Sequence, residues 1–434
     1  MRNDIPTMSI TRTRILPWIV CGLAALFYCY EYLLRIMPSI MSEHLLHLFN
    51  LNGLAFGHLV AIYYYAYIPM QLPVGILMDR ISPRKLLIFA CLICGLGAYG
   101  FAQPHLLLAQ TGRFLVGLGS AFAFIGVMKL ATLWLPLRYF GLIAGLATSL
   151  GMVGAMVGDI VLSKLVMLLG NYSTLQAAGT LGIVLTVIIW LTIPEKNPCP
   201  PAQLASLQTL PSFKVFYTQV RALLKNPQMW LLGLVGCLFF LSLTAFAEMW
   251  AIPYLIRNYH LSTQIAANYN AFVFLGWAVG GPLMGSIAGK LGPGRRVQLM
   301  LVSALIGAII ISIVLYLPEY AKPCLGSLLF FFGVFSAAQV IIFSIVRELN
   351  KPATLGTAFA VTNCLVMLGG GIAQPMIGYL LDTLSLAPIK GNLMAFSTQS
   401  FTWALTILPI GCLLAALLSC FIKDALPEES HSIS

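Results

Sequence analysis

The sequence contains little charge. Asp, Glu, Lys and Arg make up only 9% of its 434 residues, and 59% of the residues are hydrophobic. A soluble globular chain carries about 25% charged residues. With so few charges the chain cannot cover a water-soluble surface, so the composition excludes an ordinary soluble protein and predicts a polytopic membrane protein in contact with the lipid bilayer.

Motifs for several other chemistries are also missing. No Gly-x-x-x-x-Gly-Lys-Ser/Thr sequence occurs, so an ATP-binding loop is absent and any transport must run on a gradient. A membrane-embedded transferase would need an Asp-rich metal motif or a His-based site, and the chain has six His and no such acidic cluster in its apolar runs. We therefore expect no enzyme, no metal and no cofactor. The ten Cys are scattered, and Cys91 and Cys94 are interpreted as packing residues. A receptor without transport activity is also compatible with the sequence.

Twelve apolar runs are long enough to cross a bilayer, which predicts an all-α membrane protein. They lie at about 16–37, 57–78, 86–103, 106–131, 139–162, 175–194, 229–253, 267–288, 298–317, 324–345, 356–380 and 401–422. An even number of spans places both termini on the same side. The longest loop, 195–228, divides the chain into a first half (1–194), a linker with an amphipathic helix, and a second half (229–434).

The basic residues predict the orientation. Of the 24 Lys and Arg, 17 lie on the side of the termini. The others lie on the opposite side (Lys164, Arg257, Lys322, Lys390) or inside spans (Arg35, Arg113, Lys129). Positively charged loops stay in the cytoplasm, so both termini are predicted to be cytoplasmic. The net charge of +11 then reflects this asymmetry, and we expect no binding to nucleic acid.

A basic hairpin occurs twice, at 75–85 and 285–296, once in each half. The first copy contains Gly75, Asp79, Arg80, Arg84 and Lys85, and the second contains Lys290, Arg295 and Arg296, with glycine at 289 where the first has its acid. Such a repeat is typical of secondary transporters built from two similar units. We predict that these residues form a gating motif that holds one side of the protein shut.

These features resemble the major facilitator superfamily. The segment 75–85 is similar to the family's signature between helices two and three, and 112–119 is similar to its fourth-helix pattern. The resemblance implies two repeats of six helices. The glycine-rich fifth span lacks the Gly-Pro pair of the family's antiporters, which argues against a drug/proton antiporter.

Two further segments, 27–39 and 63–75, resemble the phagosomal nutrient transporters of intracellular bacteria and, more distantly, lysosomal dipeptide transporters. This resemblance implies uptake of a small-molecule substrate such as amino acids, short peptides or nucleosides. We expect a proton-coupled symporter in a cell inner membrane, acting as a monomer. A siderophore or drug exporter on the same fold is the alternative.

Glu31 and Arg35 are the strongest candidates for the substrate site. Their spacing places them on one face of the first span, and charges inside a membrane are costly and usually functional. Arg35 is a candidate for binding a substrate carboxylate, and Glu31 for meeting an ammonium group or a proton. The alternative is a pair that only neutralises itself. Glu248, in the seventh span, has no basic partner on its own helix. It is either a proton carrier, a protonated residue bonded to a neighbouring helix, or a residue near the headgroups.

Other polar residues in the spans are weaker candidates. Tyr64, Tyr67 and Gln71 share one helix face and are interpreted, with Tyr28, as a polar cavity wall. Lys129 either faces a cavity or reaches the membrane surface. Arg113 is interpreted as a headgroup contact, whereas the family resemblance implies a cavity or gating role. Asn363, like Gln339 and Gln374, either faces substrate or bonds to another helix, and Asp159 is expected to be exposed near the outer end of span five.

Overall fold

The computed structural model describes residues 10–136, 139–195, 213–292, 294–351, 354–385 and 390–424. Within these ranges the chain is almost entirely helical, and 11 helices are long and apolar enough to cross a membrane. One of them, Phe140–Thr192, leaves the helical conformation at Gly170 (φ 78°) and therefore contains two of the predicted spans. All twelve predicted spans are thus present as helix, and the all-α membrane fold is confirmed.

We number the membrane-crossing helices as spans 1 to 12. In the first half they are span 1 (Ile10–Ile40), span 2 (Gly53–Arg80), span 3 (Pro83–Phe101), span 4 (Leu106–Ser120 and Ala123–Trp134), and spans 5 and 6, the parts of Phe140–Thr192 before and after Gly170. In the second half they are span 7 (Pro227–Leu241, Ser242–Trp250 and Ala251–Tyr259), span 8 (Thr263–Lys290), span 9 (Arg295–Tyr316), span 10 (Leu325–Ser336 and Val340–Leu349), span 11 (Leu355–Thr383) and span 12 (Thr398–Ala404 and Ile407–Ser419).

Shorter helical pieces lie between the spans. They are Ser42–Phe49, Phe213–Lys225, Pro318–Ala321, Lys322–Cys324, Ala337–Gln339 and Leu393–Ala395. The helix Phe213–Lys225 lies within the linker segment where the sequence predicts an amphipathic helix. The middle part of span 7, Ser242–Trp250, is a π-helix, and all nine of its residues are buried. Such wide turns are rare and frequently lie at functional sites; we call this part the π segment.

Local sequence signals fix where several spans begin. The Asn52 side chain accepts a hydrogen bond from the backbone NH of Ala55 and caps span 2, and the Ser262 hydroxyl does the same for span 8. Asn226 caps span 7, whose first residue is Pro227. These side chains satisfy backbone NH groups that the first helical turn leaves free, and proline lacks such a group.

The two halves meet mainly through two pairs of helices. Span 2 packs along span 11, and span 5 packs along span 8, while span 1 contacts the π segment. The closest approach is between Gly53 and Gly378, where a Cβ on Gly378 would lie 2.0 Å from the carbonyl oxygen of Gly53. Only residues without a side chain allow two helix backbones to approach so closely.

This contact lies at one end of the molecule. We call the side on which span 1 begins and span 12 ends the terminal side, and the other the opposite side. Gly53 begins span 2 on the opposite side, so the halves are held together there. The buried apolar residues agree. One large cluster includes residues of both halves, whereas the buried members of a second cluster, on the terminal side, come from the linker helix and the second half. The described conformation is therefore closed on the opposite side.

Candidate functional site

Glu31 and Arg35 lie together at the centre of the first half. Nη2 of Arg35 is 3.1 Å from Oε1 of Glu31 and 3.3 Å from Oε2. The side chain of Arg35 is 1% exposed, and that of Glu31 is 0% exposed. One helical turn separates the two residues, so span 1 positions both without help from another helix. The pair predicted from spacing is present and fully removed from water.

Tyrosines surround the guanidinium of Arg35. The hydroxyl of Tyr63 accepts a hydrogen bond from Nη2 of Arg35 at 2.7 Å and donates one to Oε2 of Glu31 at 2.9 Å. The centre of the Tyr32 ring lies 4.2 Å from Cζ of Arg35, and that of Tyr67 lies 5.4 Å away. Aromatic faces attract a desolvated cation. Span 2 therefore completes the surroundings of a charge that span 1 carries, and Tyr63, which was not among the predicted site residues, is the bridge.

Glu248 reaches the same guanidinium from the second half. Its Oε1 is 3.5 Å from Nη1 of Arg35, and its Oε2 accepts a hydrogen bond from the hydroxyl of Tyr64. Glu248 lies in the π segment and is 1% exposed. Of the three interpretations of Glu248, the position near headgroups is wrong, because the residue is buried against Arg35. The site is thus one cation between two carboxylates, with one carboxylate from each half.

Arg35 keeps unused hydrogen-bonding capacity. Its Nε is buried and has no hydrogen-bond acceptor in the described part of the protein. Its Nη1 and Oε1 of Glu248 face each other at 3.5 Å as an ion pair, without forming a hydrogen bond. Buried polar groups are almost always satisfied, so unpaired ones call for an explanation. A bound small molecule with a carboxylate would supply the missing acceptors.

The other predicted tyrosine, glutamine and asparagine residues lie around this centre. Tyr28, 8% exposed, makes an edge contact with Tyr32 at 5.2 Å between ring centres. Gln71, one turn beyond Tyr67, accepts a hydrogen bond of 3.0 Å from Nδ2 of Asn363. Because Asn363 is in span 11, this bond joins the two halves on the terminal side of Arg35. Asn363 therefore bonds to another helix in this conformation, which was one of its two predicted roles.

Arg113 is not at a headgroup position, which corrects one interpretation of it. It is 2% exposed and donates three hydrogen bonds to backbone carbonyls. Its Nη1 and Nη2 each lie 2.9 Å from a carbonyl of span 1, those of Leu34 and Arg35, and its Nε lies 3.3 Å from that of Val60 in span 2. Arg113 thus ties spans 1, 2 and 4 together directly behind Arg35. Lys129 is half-buried in the second helix of span 4, away from these contacts.

Most residues of the basic hairpins lie at the terminal side. In the first half, Nη2 of Arg84 donates to the carbonyl of Trp190 at 2.6 Å, and Nζ of Lys85 lies 3.2 Å from Oε1 of Glu195, so both bind to the end of span 6. Arg80 is exposed, and Gly75 has no neighbouring atom within reach of a Cβ. The side chain of Asp79 lies outside the described part of the protein. The role of this acid in the gating motif therefore remains a prediction.

The second hairpin contains a tighter cluster. Arg296, 7% exposed, contacts Oε2 of Glu348 and Oδ1 of Asp424, each at 2.5 Å, while Lys290 and Arg295 are exposed. This cluster joins span 9, span 10 and the segment after span 12. The contacts of Arg84 and Lys85 stay within the first half, and those of Arg296 stay within the second half.

Asp159 was predicted to be exposed, and this is wrong: it is 0% exposed. Its Oδ2 accepts a hydrogen bond of 2.7 Å from Nδ2 of Asn270 in span 8. The position of Asp159 along span 5 indicates how deep it lies in the membrane. It does not reveal Asn270, which buries Asp159 and lies 111 residues away in the sequence. Among the described residues, no three His, Cys, Asp or Glu side chains are grouped closely enough to hold a metal ion.

Comparison with known proteins gives consistent matches. The model of the Major Facilitator Superfamily matches residues 20–375. The uncharacterized transporter YybO of Bacillus subtilis is 25% identical over 390 residues, which cover 84% of this chain and 87% of YybO. The human lysosomal dipeptide transporter MFSD1 is 22% identical over 373 residues, covering 82% of this chain and 77% of MFSD1.

A solved structure shares the fold. It is a bacterial homologue of the human lysosomal transporter Spinster in an inward-facing and occupied conformation, with a TM-score of 0.74 at 15% identity. The match covers 94% of this chain and 97% of that one. The twelve-span arrangement described above is therefore the fold of a known transporter.

Proposed function

The chain belongs to the major facilitator superfamily, and we propose that it takes up small zwitterionic nutrients, amino acids or short peptides, together with protons. The observation that carries the proposal is the position of Arg35 between Glu31 and Glu248, where the two halves meet. Secondary transporters bind their substrates at such an interface and expose it alternately to each side. A site shared by both halves responds to their relative movement.

The chemistry of the site suits a zwitterion. A substrate carboxylate would take the unused donors of Arg35, because a guanidinium binds carboxylates through its planar set of NH groups. A substrate ammonium group would then face Glu31 or Glu248. The tyrosine rings of Tyr28, Tyr32 and Tyr67 add apolar surface for the rest of a small molecule. Because Arg35 and Glu31 are buried in this conformation, substrate reaches them only when the surrounding side chains move.

Counting charges supports coupling to protons. One guanidinium and two ionised carboxylates leave one negative charge uncompensated in a buried site, which is unfavourable. One proton on Glu31 or Glu248 removes that charge, whereas a zwitterion brings one positive and one negative group and leaves the net charge unchanged. The zwitterion therefore binds a site made neutral by a proton, and the two are carried together, which is what a symporter requires.

The proposed uptake ends with release of substrate on the terminal side. The bias of Lys and Arg favours a cytoplasmic terminal side in a cell inner membrane, so the described conformation is closed to the outside. Gln71 and Asn363, which join the halves on the terminal side of Arg35, would separate when substrate leaves for the cytoplasm. Arg113 would hold the backbone under Arg35 without touching the substrate. MFSD1 bears the name of a dipeptide transporter, which agrees with this substrate class.

Uptake into proteoliposomes tests the proposal. Labelled amino acids, dipeptides and nucleosides are offered with and without an inward proton gradient. We expect gradient-driven accumulation of at least one amino acid or dipeptide and none of the corresponding amides, which lack the carboxylate. Transport of nucleosides alone, or accumulation that ignores the proton gradient, contradicts the proposal.

A further inference from the structure

The contact between Asp159 and Asn270 is unusual because both side chains are buried and each has an unpaired oxygen. Oδ1 of Asp159 and Oδ1 of Asn270 have no hydrogen-bond donor in the described part of the protein. Both residues are 0% exposed. Spans 5 and 8, which carry them, form one of the two main contacts between the halves.

The orientation of the Asn270 amide is fixed by a third group. Its Nδ2 donates both of its hydrogens, to Oδ2 of Asp159 at 2.7 Å and to the backbone carbonyl of Ala247 at 2.8 Å. A backbone carbonyl only accepts, so the amide nitrogen must face Ala247, and its oxygen must face away. The amide then has no hydrogen left for the second oxygen of Asp159.

One proton on Asp159 would account for both unpaired oxygens. If Oδ1 of Asp159 carries a hydrogen, it becomes the donor that Oδ1 of Asn270 lacks, and the acid and the amide form a closed pair of hydrogen bonds. An ionised Asp159 would instead leave two buried acceptors unpaired and a charge without a cation. Each of these is unfavourable in a dry interior.

We propose that Asp159 is a second proton-binding site, separate from Arg35, whose proton fastens spans 5 and 8 together on the opposite side. When the proton leaves, the charge must be hydrated, and the spans separate to admit water. Protonation therefore favours the described conformation, and loss of the proton favours opening on the opposite side. The site itself does not depend on the proposed substrate, but its coupling to transport rests on the proposed function.

A cleft lies one helical turn from this site. Ser163, one turn beyond Asp159 in span 5, lines a cleft of about 730 Å³ between the halves on the opposite side. Glu43, His44 and His47 line the same cleft. Burial and the neighbouring His47 lower the pKa of His44 from its usual value, so the cleft has titratable groups of its own that the test must separate from Asp159.

Other ionisable groups are present on the elements packed against this part of span 5. They are Glu31, Tyr32 and Arg35 of span 1, Glu248 of the π segment, Tyr269 of span 8, Glu43, His44 and His47 at the cleft, and Lys164 on span 5 itself. Among the ion pairs of the described residues, Arg35 binds Glu31 and Glu248, and none of these groups pairs with Asp159. Asp159 therefore has the amide of Asn270 as its hydrogen-bond partner, where an ionised acid would need a cation.

The test measures opening on the opposite side as a function of pH. Spin labels are placed at Leu168 and Ile265, 72% and 46% exposed, at the opposite-side ends of spans 5 and 8 of the full-length protein in lipid nanodiscs. Distance distributions are recorded from acidic to alkaline pH without substrate. We expect the unaltered protein to open as the pH rises, and D159N to stay closed throughout, because an asparagine amide donates to Asn270 without titrating.

Two controls decide between sources of the pH response. The doubly substituted H44Q/H47Q protein should keep the wild-type response. N270A, which removes the amide partner but keeps the acid, should still respond, with its midpoint lowered by about one pH unit, since the closed state loses a hydrogen bond. This variant decides the matter if D159N does not fold.

The inference fails if the unaltered protein shows no pH response, if D159N keeps it, if N270A leaves the midpoint unchanged, or if H44Q/H47Q abolishes it. Transport is measured separately on the same proteins. Absence of proton-driven uptake with a response that D159N removes would overturn the proposed function alone. Proton-driven uptake with an unchanged response in D159N would overturn this inference alone.

Discussion

Nη1 of Arg35 lies 3.5 Å from Oε1 of Glu248, although 213 positions in the sequence separate the two residues and they belong to different halves. Arg35 also holds Glu31 of its own helix at 3.1 Å. Its two carboxylate partners therefore differ: separating the halves breaks the contact with Glu248 and leaves the contact with Glu31 intact. The predictions below depend on this difference.

Arg35→Lys is expected to lose substrate uptake by at least about tenfold. A lysine keeps the charge, but its three donors sit on one nitrogen and lack the planar spread of the guanidinium, so it cannot bind Tyr63, both carboxylates and a substrate carboxylate together. Uptake of the best substrate in proteoliposomes measures the loss. Arg221→Lys, at an exposed position of the helix Phe213–Lys225, is the matched control and should transport normally. Wild-type uptake by Arg35→Lys would show that the guanidinium does not bind substrate.

Glu31→Gln and Glu248→Gln distinguish the proton carrier from the structural acid. The variant that removes the carrier should abolish accumulation driven by a proton gradient but retain counterflow exchange, which moves no net proton. If Glu31 only offsets the buried charge of Arg35, its Gln variant should express poorly, because the cation loses its nearest anion. Both assays are run on each variant. Normal accumulation in both would rule out either acid as the coupling site.

Gly378→Ala should prevent closure on the opposite side. The new methyl group would meet the carbonyl oxygen of Gly53 at 2.0 Å, and such overpacking typically destabilises by about 1–3 kcal/mol. We expect a cysteine placed in the opposite-side cleft to react faster with a water-soluble thiol reagent, and uptake to fall. Gly145→Ala, where a Cβ meets no atom within 4 Å, is the control. Equal reactivity in the two variants would contradict the described closure.

Arg296→Ala should lower the thermal stability of the protein more than it lowers substrate affinity. Removing this cation leaves the buried Asp424 and its neighbour Glu348 without their partner, which costs on the order of 3 kcal/mol. Thermal unfolding in detergent and substrate binding are measured together. Arg295→Ala, which removes an exposed charge from the adjacent position, should change neither. A large loss of binding at unchanged stability would instead place Arg296 in the substrate path.

The sequence predicted the spans well because apolar length alone decides what crosses a bilayer. It also predicted the pair Glu31 and Arg35, since both lie on one helix, where spacing determines the face. It failed where a side chain meets another helix. Glu248 and Asp159 have no partner on their own spans, and neither the depth of a residue nor its spacing gives the rotation of one helix against the next. Asp159 was therefore placed at the surface.

Neighbouring residues show the same limit. Tyr63 and Tyr64 follow each other in span 2, yet the first binds Glu31 and the second binds Glu248. A residue pattern identifies this tyrosine-rich face as polar, but it does not assign each hydroxyl to an acid. The π segment is a second example, because its sequence has no feature that separates it from ordinary α-helix.

The π segment also changes the register of span 7. A π turn holds about one residue more than an α turn, which rotates everything beyond it by about 100° around the helix axis. Pro227–Leu241 packs mainly on spans 11 and 12, whereas Ala251–Tyr259, further along the same helix, packs on spans 1 and 8 and on the first helix of span 12. One continuous span thus presents two different faces to two sets of neighbours. Deleting a single residue between them would turn the far end of the helix away from the first half.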